Sequence, residues 1–303
     1  MRTTARALAL LAAAGTVLAA AGCSSGSNSS GTSDAAASSS AKASGKAQVL
    51  YAGSLVNLME KHIGPAFSSA TGYGYSGVGE GSSQIANEIK GKVRRGDVFI
   101  SASPKTNADL EGSANGDNVS WYTEFASAPL MLAYNPKSRF AADLRSKPWY
   151  QVVTESGFRL GHTDPKLDPK GKLSVQAEQE AQTQTGQSGL AARIEKNSSV
   201  FPEETLIGRL ESGQLDAGFF YANEATEQKL PTVGLGGVKL AAHYTVTVLD
   251  KAQNPAAGAA FVGYLLGANG SAALRADGLT VETPKLSGSP SAVPAALRKT
   301  VGG

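Results

Sequence analysis

A single cysteine, three histidines and a nearly balanced charge are all that 303 residues offer to disulfide, metal or nucleic-acid chemistry. One thiol cannot close an internal disulfide, so no such bridge staples this chain. His62, His162 and His243 are scattered, without the His-Glu-x-x-His spacing of a metal-binding helix, so no free metal cation is expected and each reads as a surface or packing residue. No Gly-x-Ser-x-Gly elbow surrounds Ser54, Ser82 or Ser101, which removes the usual nucleophilic serine. Gly77, Gly79 and Gly81 lack the third glycine of a dinucleotide loop, and no Walker lysine follows them. With 28 basic against 25 acidic residues the formal net charge is +3, which predicts no strongly basic face and no nucleic-acid partner.

What is present begins at the N-terminus. Arg2 and Arg6 precede an apolar stretch from Ala7 to Ala21, the charged and hydrophobic regions of a signal peptide over residues 1–22. The stretch is short for a membrane span. Leu18-Ala-Ala-Ala-Gly22-Cys23 resembles a bacterial lipobox, with Ala20 where that pattern prefers Leu. The resemblance implies cleavage before Cys23 and a lipid anchor on it; plain secretion with a stray thiol is the alternative. Cleavage removes two arginines and leaves 26 basic against 25 acidic residues, a net charge of +1. Residues 23–46 are almost all Ser, Gly, Ala, Thr and Lys, a composition that buries no core and reads as a flexible tether.

From Ala47 onward extended and helical patterns alternate. Ala47 to Tyr51 reads as a buried strand, and Leu55 to Phe67 has helical spacing through Leu55, Leu58, Met59 and Ile63. Strands at Tyr73 to Val78 and Val98 to Ser101 alternate with helices at Ser83 to Lys90 and Lys105 to Leu110. That order predicts a mostly parallel sheet flanked by helices. Phe125 to Tyr134 is an apolar extended run broken by Pro129, as though the chain crosses into a second lobe. Lobe 1 is expected over 47–125 and again over 238–285, lobe 2 over 126–237, and a loose Pro/Ser-rich tail over 286–303. Two crossings make a hinge and a ligand cleft between the lobes.

Three segments of lobe 1 place a small hydroxyl where a strand turns into a helix: Ala52-Gly-Ser54-Leu, Gly79-Glu-Gly-Ser82-Ser83 and Ile100-Ser-Ala102-Ser103-Pro. Serine is a preferred N-cap, so each turn taken alone merely begins a helix. Three of them at the carboxyl ends of parallel strands also suit a small-anion pocket built on helix-end amides and hydroxyls. The residues alone leave both readings open.

These segments, with Asp97-Val-Phe-Ile-Ser-Ala102, Glu211-Ser-Gly-Gln-Leu-Asp216-Ala-Gly-Phe-Phe-Tyr221 and Asp277-Gly-Leu279, resemble the molybdate/tungstate-binding proteins of ABC importers over essentially all of Gln48 to Leu279. The resemblance implies the two-lobed type II periplasmic-binding-protein fold, no enzymatic activity and no cofactor. It implies a small oxyanion as ligand and an ABC permease with its ATPase as partners. It also implies an extracytoplasmic monomer held to the cell membrane through Cys23. Carried over by position, Ser54 and Ser82 supply hydroxyls, with Ser83 as a register alternative, Ala102 a backbone N–H, and Tyr221 a hydroxyl that closes over the ligand. Asp168 stands where relatives present a backbone N–H or, in a tungstate-binding branch, a metal-ligating carboxylate. That branch has Glu where this chain has Phe220. A tetrahedral oxyanion held by hydrogen bonds, with Asp168 contributing backbone, is therefore the favoured arrangement.

A dianion whose oxygens only accept hydrogen bonds calls for several donors and no inward acceptors. Sulfate, phosphate or an organic acid is the alternative ligand within the binding class, the last disfavoured by the lack of an Arg clamp. A surface enzyme acting on a small anionic substrate is the alternative from another class, and it needs a general base such as Asp168.

Overall fold

The computed structural model describes residues 44–302. The expected signal peptide, Cys23 and nearly all of the tether lie outside the described residues.

Among the described residues ten strands build the sheet framework: β1 (Lys46–Ala52), β2 (Gly74–Glu80), β3 (Val98–Ser101), β4 (Trp121–Tyr134), β5 (Leu160–Thr163), β6 (Ser198–Phe201), β7 (Ala217–Tyr221), β8 (Thr232–Val233), β9 (Ala241–Val248) and β10 (Thr280–Gly288). The helix-linked strands pair in parallel: β1 with β2 and β3 in the first lobe, β5 with β6 and β7 in the second. Long antiparallel strands complete the first sheet, in which β9 joins β3 to β4 and β10 adds to β4. The result is a mixed α/β fold with two lobes.

β4 serves both lobes. Its first part pairs with β9 as far as Pro129 opposite Ala241; from Leu130 opposite Tyr221 onward it pairs with β7. Proline has no N–H to give a ladder, so it sits where the strand exchanges one set of partners for another. Leu130 resumes the bonding by donating to the Leu240 carbonyl at 2.8 Å.

Two expectations need correction. The helix expected over Leu55 to Phe67 is a 3-10 turn at Gly53–Leu55, a widened π turn at Leu58–Ile63 and an α-helix at Gly64–Thr71. Pro65 accounts for the widening: it cannot donate to the Lys61 carbonyl, and its ring crowds that oxygen in a regular α-helix. The loose tail expected over 286–303 is packed through residue 302. Leu286 to Gly288 pair with β4, and Val293, Leu297 and Val301 are buried in the main core. Their spacing of four puts one apolar stripe through a segment whose Pro and Ser content suggests disorder.

That core runs under both lobes. Phe67 packs edge-on against Phe261 with centroids 5.1 Å apart and against Tyr264 at 5.9 Å, tying the helix Gly64–Thr71 to the helix Pro255–Leu266. Among the described residues no single helix is long and apolar enough to cross a membrane.

Candidate ligand cleft

Because β1 pairs in parallel with both β2 and β3, with Ala52 opposite Glu80 and Tyr51 opposite Ile100, the three turns that follow them emerge side by side. None of Ser54, Ser82 and Ser103 uses its hydroxyl as a helix cap. The capping reading therefore fails for all three. Ser82 Oγ instead accepts from the Ala102 backbone N–H at 3.1 Å, and Ser54 Oγ shares a hydrogen bond with Tyr244 Oη at 2.8 Å. The Ser101 hydroxyl is occupied within its own turn, donating to the Ser103 carbonyl at 2.9 Å.

The second lobe faces these turns with Tyr221, at the end of β7, and with the Leu167-Asp168 loop ahead of the helix Pro169–Thr185. The Tyr221 ring lies edge-on to Tyr244 at 6.2 Å, and its hydroxyl is buried without a hydrogen-bond partner. Burial, reinforced by the Asp168 carboxyl, pushes the Tyr221 phenol well up, so it stays a donor. Buried hydroxyls are rarely left unpaired, which marks Tyr221 as a group with a job beyond packing. The lobes also meet directly. Gln84 N donates to the Leu167 carbonyl at 2.9 Å, Lys172 Nζ to Ser83 Oγ at 3.2 Å, and Asn223 Nδ2 to the Ser54 carbonyl at 3.0 Å.

Asp168 departs from the favoured expectation. Its backbone N–H is engaged, donating to the Asp164 carbonyl at 2.8 Å, and its Oδ1 accepts from Lys170 N at 2.5 Å as the helix cap. A side chain at Gly81 would bring its Cβ within 2.6 Å of the Leu167 carbonyl and 3.3 Å of Asp168 Oδ2, so glycine there permits the loop's close approach. Burial raises the Asp168 pKa well above the usual carboxylate range; the nearby Glu203 adds to the rise and Lys170 opposes it.

Sequence reasoning missed the ionic part of the wall. Lys170, fully buried, donates from Nζ to Glu203 Oε1 at 2.9 Å and to Glu224 Oε1 and Oε2 at 2.7 and 3.0 Å. Burial alone would lower the Lys170 pKa, but Glu203, Glu224 and Asp168 outweigh it and hold the ammonium protonated. Glu224 also accepts from Tyr221 N at 2.8 Å, and burial pushes its carboxyl up to about 7 against the pull of Lys170. Glu203 Oε2 is buried without a partner. Three carboxyls and one ammonium thus stand behind the neutral donors. Glu203 lines both a cavity of about 170 Å³ beside Ser54 and Asn57 and one of about 320 Å³ beside Gly81, Gln84 and Asp168. Gly53 leaves room for it, since a Cβ there would fall 2.2 Å from Glu203 Cγ.

The histidines are less isolated than their spacing suggests. His162 is buried with Nδ1 at 2.9 Å from the Thr163 carbonyl, and His243 Nδ1 lies 2.8 Å from Glu124 Oε1.

The molecule thus has two lobes joined by a shared strand, with Ser54, Tyr244 and Tyr221 meeting where the lobes touch. Residues 47–280 match the family described as bacterial extracellular solute-binding protein, and the chain belongs to that family. An uncharacterized solute-binding protein of Halobacterium salinarum is 29% identical over 252 residues, covering 74% of this chain and 81% of that relative. A putative ABC transporter molybdenum-binding protein of Haloferax volcanii is 28% identical over 189 residues, covering 62% of this chain and 58% of its own length. The molybdate/tungstate-binding protein WtpA of Thermococcus kodakarensis is 26% identical over 202 residues, 50% of this chain and 57% of that protein. The chain therefore spans under two thirds of the length of both metal-oxyanion relatives.

Among solved structures, the Azotobacter vinelandii periplasmic molybdate-binding protein superposes with a TM-score of 0.63 at 17% identity, covering 78% of this chain and all of that one. The sulfate-binding protein SubI of Mycobacterium tuberculosis gives 0.61 at 14% identity, covering 85% of this chain and 90% of that one. At these identities the likeness speaks for the fold. The family match makes the chain an extracellular solute-binding protein by descent.

Proposed function

We propose that this protein captures molybdate or tungstate outside the cytoplasm, as a monomer tethered through a lipidated Cys23, and delivers it to the permease and ATPase of an ABC importer. The observation that carries the reading is the buried, unpartnered Tyr221 hydroxyl, on a ring set edge-on against Tyr244, which in turn bonds Ser54. Ser54, Ser82, Ala102 N, Tyr221 and Tyr244 are neutral donors from both lobes. Each desolvated hydrogen bond from such a donor to a charged oxygen contributes about 1.5–3 kcal/mol. The names of the relatives support the metal oxyanions over other anions.

The buried carboxyls refine this picture. A protonated Asp168 is a donor and does not repel a dianion, whereas an ionised one does. The raised Asp168 pKa favours the donor form. Lys170 brings positive charge behind the donors without contributing a free N–H, because Glu203 and Glu224 occupy it.

Isothermal titration of the protein with molybdate, tungstate, sulfate and phosphate tests the proposal. Binding of one of the first two with a dissociation constant below about 1 µM, a free energy beyond roughly −8 kcal/mol, is expected. Failure of both sinks it, and preference for sulfate or phosphate replaces it with the other anion reading. Asp168→Ala that abolishes binding in a folded protein makes direct carboxylate ligation the better account.

A further inference from the structure

We infer that Glu124, His243 and Glu282 form a divalent-metal site on the first sheet, separate from the ligand cleft. One ligand atom from each lies within 4.8 Å of the other two, and the three residues come from three neighbouring strands, β4, β9 and β10. Sequence spacing conceals this: Glu124 and His243 are 119 positions apart, yet His243 Nδ1 and Glu124 Oε1 are in hydrogen-bond contact at 2.8 Å.

Two irregularities in the ladders bring the groups together. The β4–β9 register shifts between Glu124 and Ala126, and the β4–β10 register shifts between Val281 and Lys285, the interval that holds Glu282. Bulges of this kind re-aim side chains that a regular pleat would send elsewhere. Lys285 stands directly opposite Glu124, and Arg275 lines the same cavity as Glu282. Even so, among the described residues no Lys or Arg forms an ion pair with either carboxylate, and the Glu124 carboxylate meets His243 alone. Two carboxylates and one imidazole thus gather with no Lys or Arg paired to them directly among the described residues, although Lys285 and Arg275 lie close by.

The donor set selects the metal. An imidazole nitrogen with two carboxylate oxygens suits Zn²⁺ and its late first-row neighbours, while Mg²⁺ prefers oxygen ligands and keeps its waters. Ligand bonds of roughly 2.0–2.2 Å around Zn²⁺ would require the ligand atoms, now within 4.8 Å of one another, to close up around the ion. His243 is half exposed, leaving a further position open to water. Occupation would clip β9, β4 and β10 to one another. It would act one hydrogen bond from the proposed anion turn, because His243 N donates to the Ala102 carbonyl at 3.3 Å.

The test is calorimetric titration of the full chain with ZnCl2 alone, with MgCl2 as comparison, alongside His243→Ala and Glu282→Gln. One zinc per chain is expected, with affinity reduced about tenfold or more in each variant, since even partners behind metal ligands are worth that much. Mg²⁺ should give no comparable heat. Absence of zinc binding in the parent chain, or unchanged zinc affinity in either variant, overturns the inference. Both side chains lie on the sheet surface, and circular dichroism of the variants should match the parent.

Discussion

The two faces of the cleft are built on opposite principles. The first lobe offers Ser54, Ser82 and Ala102, neutral groups placed by local turn geometry at the ends of neighbouring parallel strands. The second offers Lys170, Glu203, Glu224 and Asp168, ionisable groups buried together and brought from distant stretches of chain. A neutral face can exchange its internal hydrogen bonds for bonds to a ligand at little cost. A buried ionic cluster must stay balanced or the fold suffers. Under the proposed function, the lobe of turns would read the anion and the lobe of charges would hold the backbone of Tyr221 and the Asp168 loop in place.

The largest effect should come from unbalancing the ionic face. Lys170→Met leaves Glu203 and Glu224 buried without their cation and is expected to cost about 3–5 kcal/mol in chemical denaturation. Adding Glu203→Gln and Glu224→Gln to that variant should recover much of the loss. Failure to recover would mean that Lys170 matters for packing and not for charge.

Tyr221→Phe removes only the unpartnered hydroxyl. Stability should be unchanged or slightly higher, while molybdate binding weakens by about 1.5–3 kcal/mol in titration calorimetry. Equal losses of stability and binding would erase the distinction between a face that reads and a face that supports.

Glu178 serves as a control, a buried acid of the same lobe with no cation beside it. Burial, with Glu195 adding repulsion, pushes its carboxyl up to about 8, and its Oε1 has no hydrogen-bond partner. A folded-state pKa raised from 4.5 gives stability that is fully present below the unfolded value and is lost as the pH rises through about 8. Glu178→Gln should therefore stabilise the protein by about 1–3 kcal/mol at pH 9 and by little at pH 5, as followed by thermal melts. A pH-independent difference would refute the assignment.

The smallest effect belongs to the bridge between the faces. Lys172 Nζ reaches Ser83 Oγ at 3.2 Å from a partly exposed position, and Lys172→Ala is expected to change stability by less than about 1 kcal/mol.

The same contrast explains what could be read from the chain beforehand. Ser54, Ser82 and Ala102 were legible because each belongs to a strand-to-helix turn, and parallel pairing then does the rest. Pro129 was legible as a break in an apolar run. Lys170 was not, although it lies two residues from Asp168, because a Lys in a polar helix reads as solvated until its partners 33 and 54 residues away are known. Tyr244 was hidden for the same reason, its contact with Ser54 spanning 190 positions. Composition misled at the C-terminus, where Val293, Leu297 and Val301 carry the packing that the surrounding Pro and Ser obscure.

β4 gives the molecule a mechanical property that neither lobe has alone. A continuous strand enrolled in two sheets works like an axle fixed in two wheels, so one sheet cannot turn without twisting the strand itself. The only slack lies where the partners change, at Pro129 and Leu130, with Leu240 and Ala241 alongside. Any opening of the proposed cleft would therefore have to bend β4 at that point.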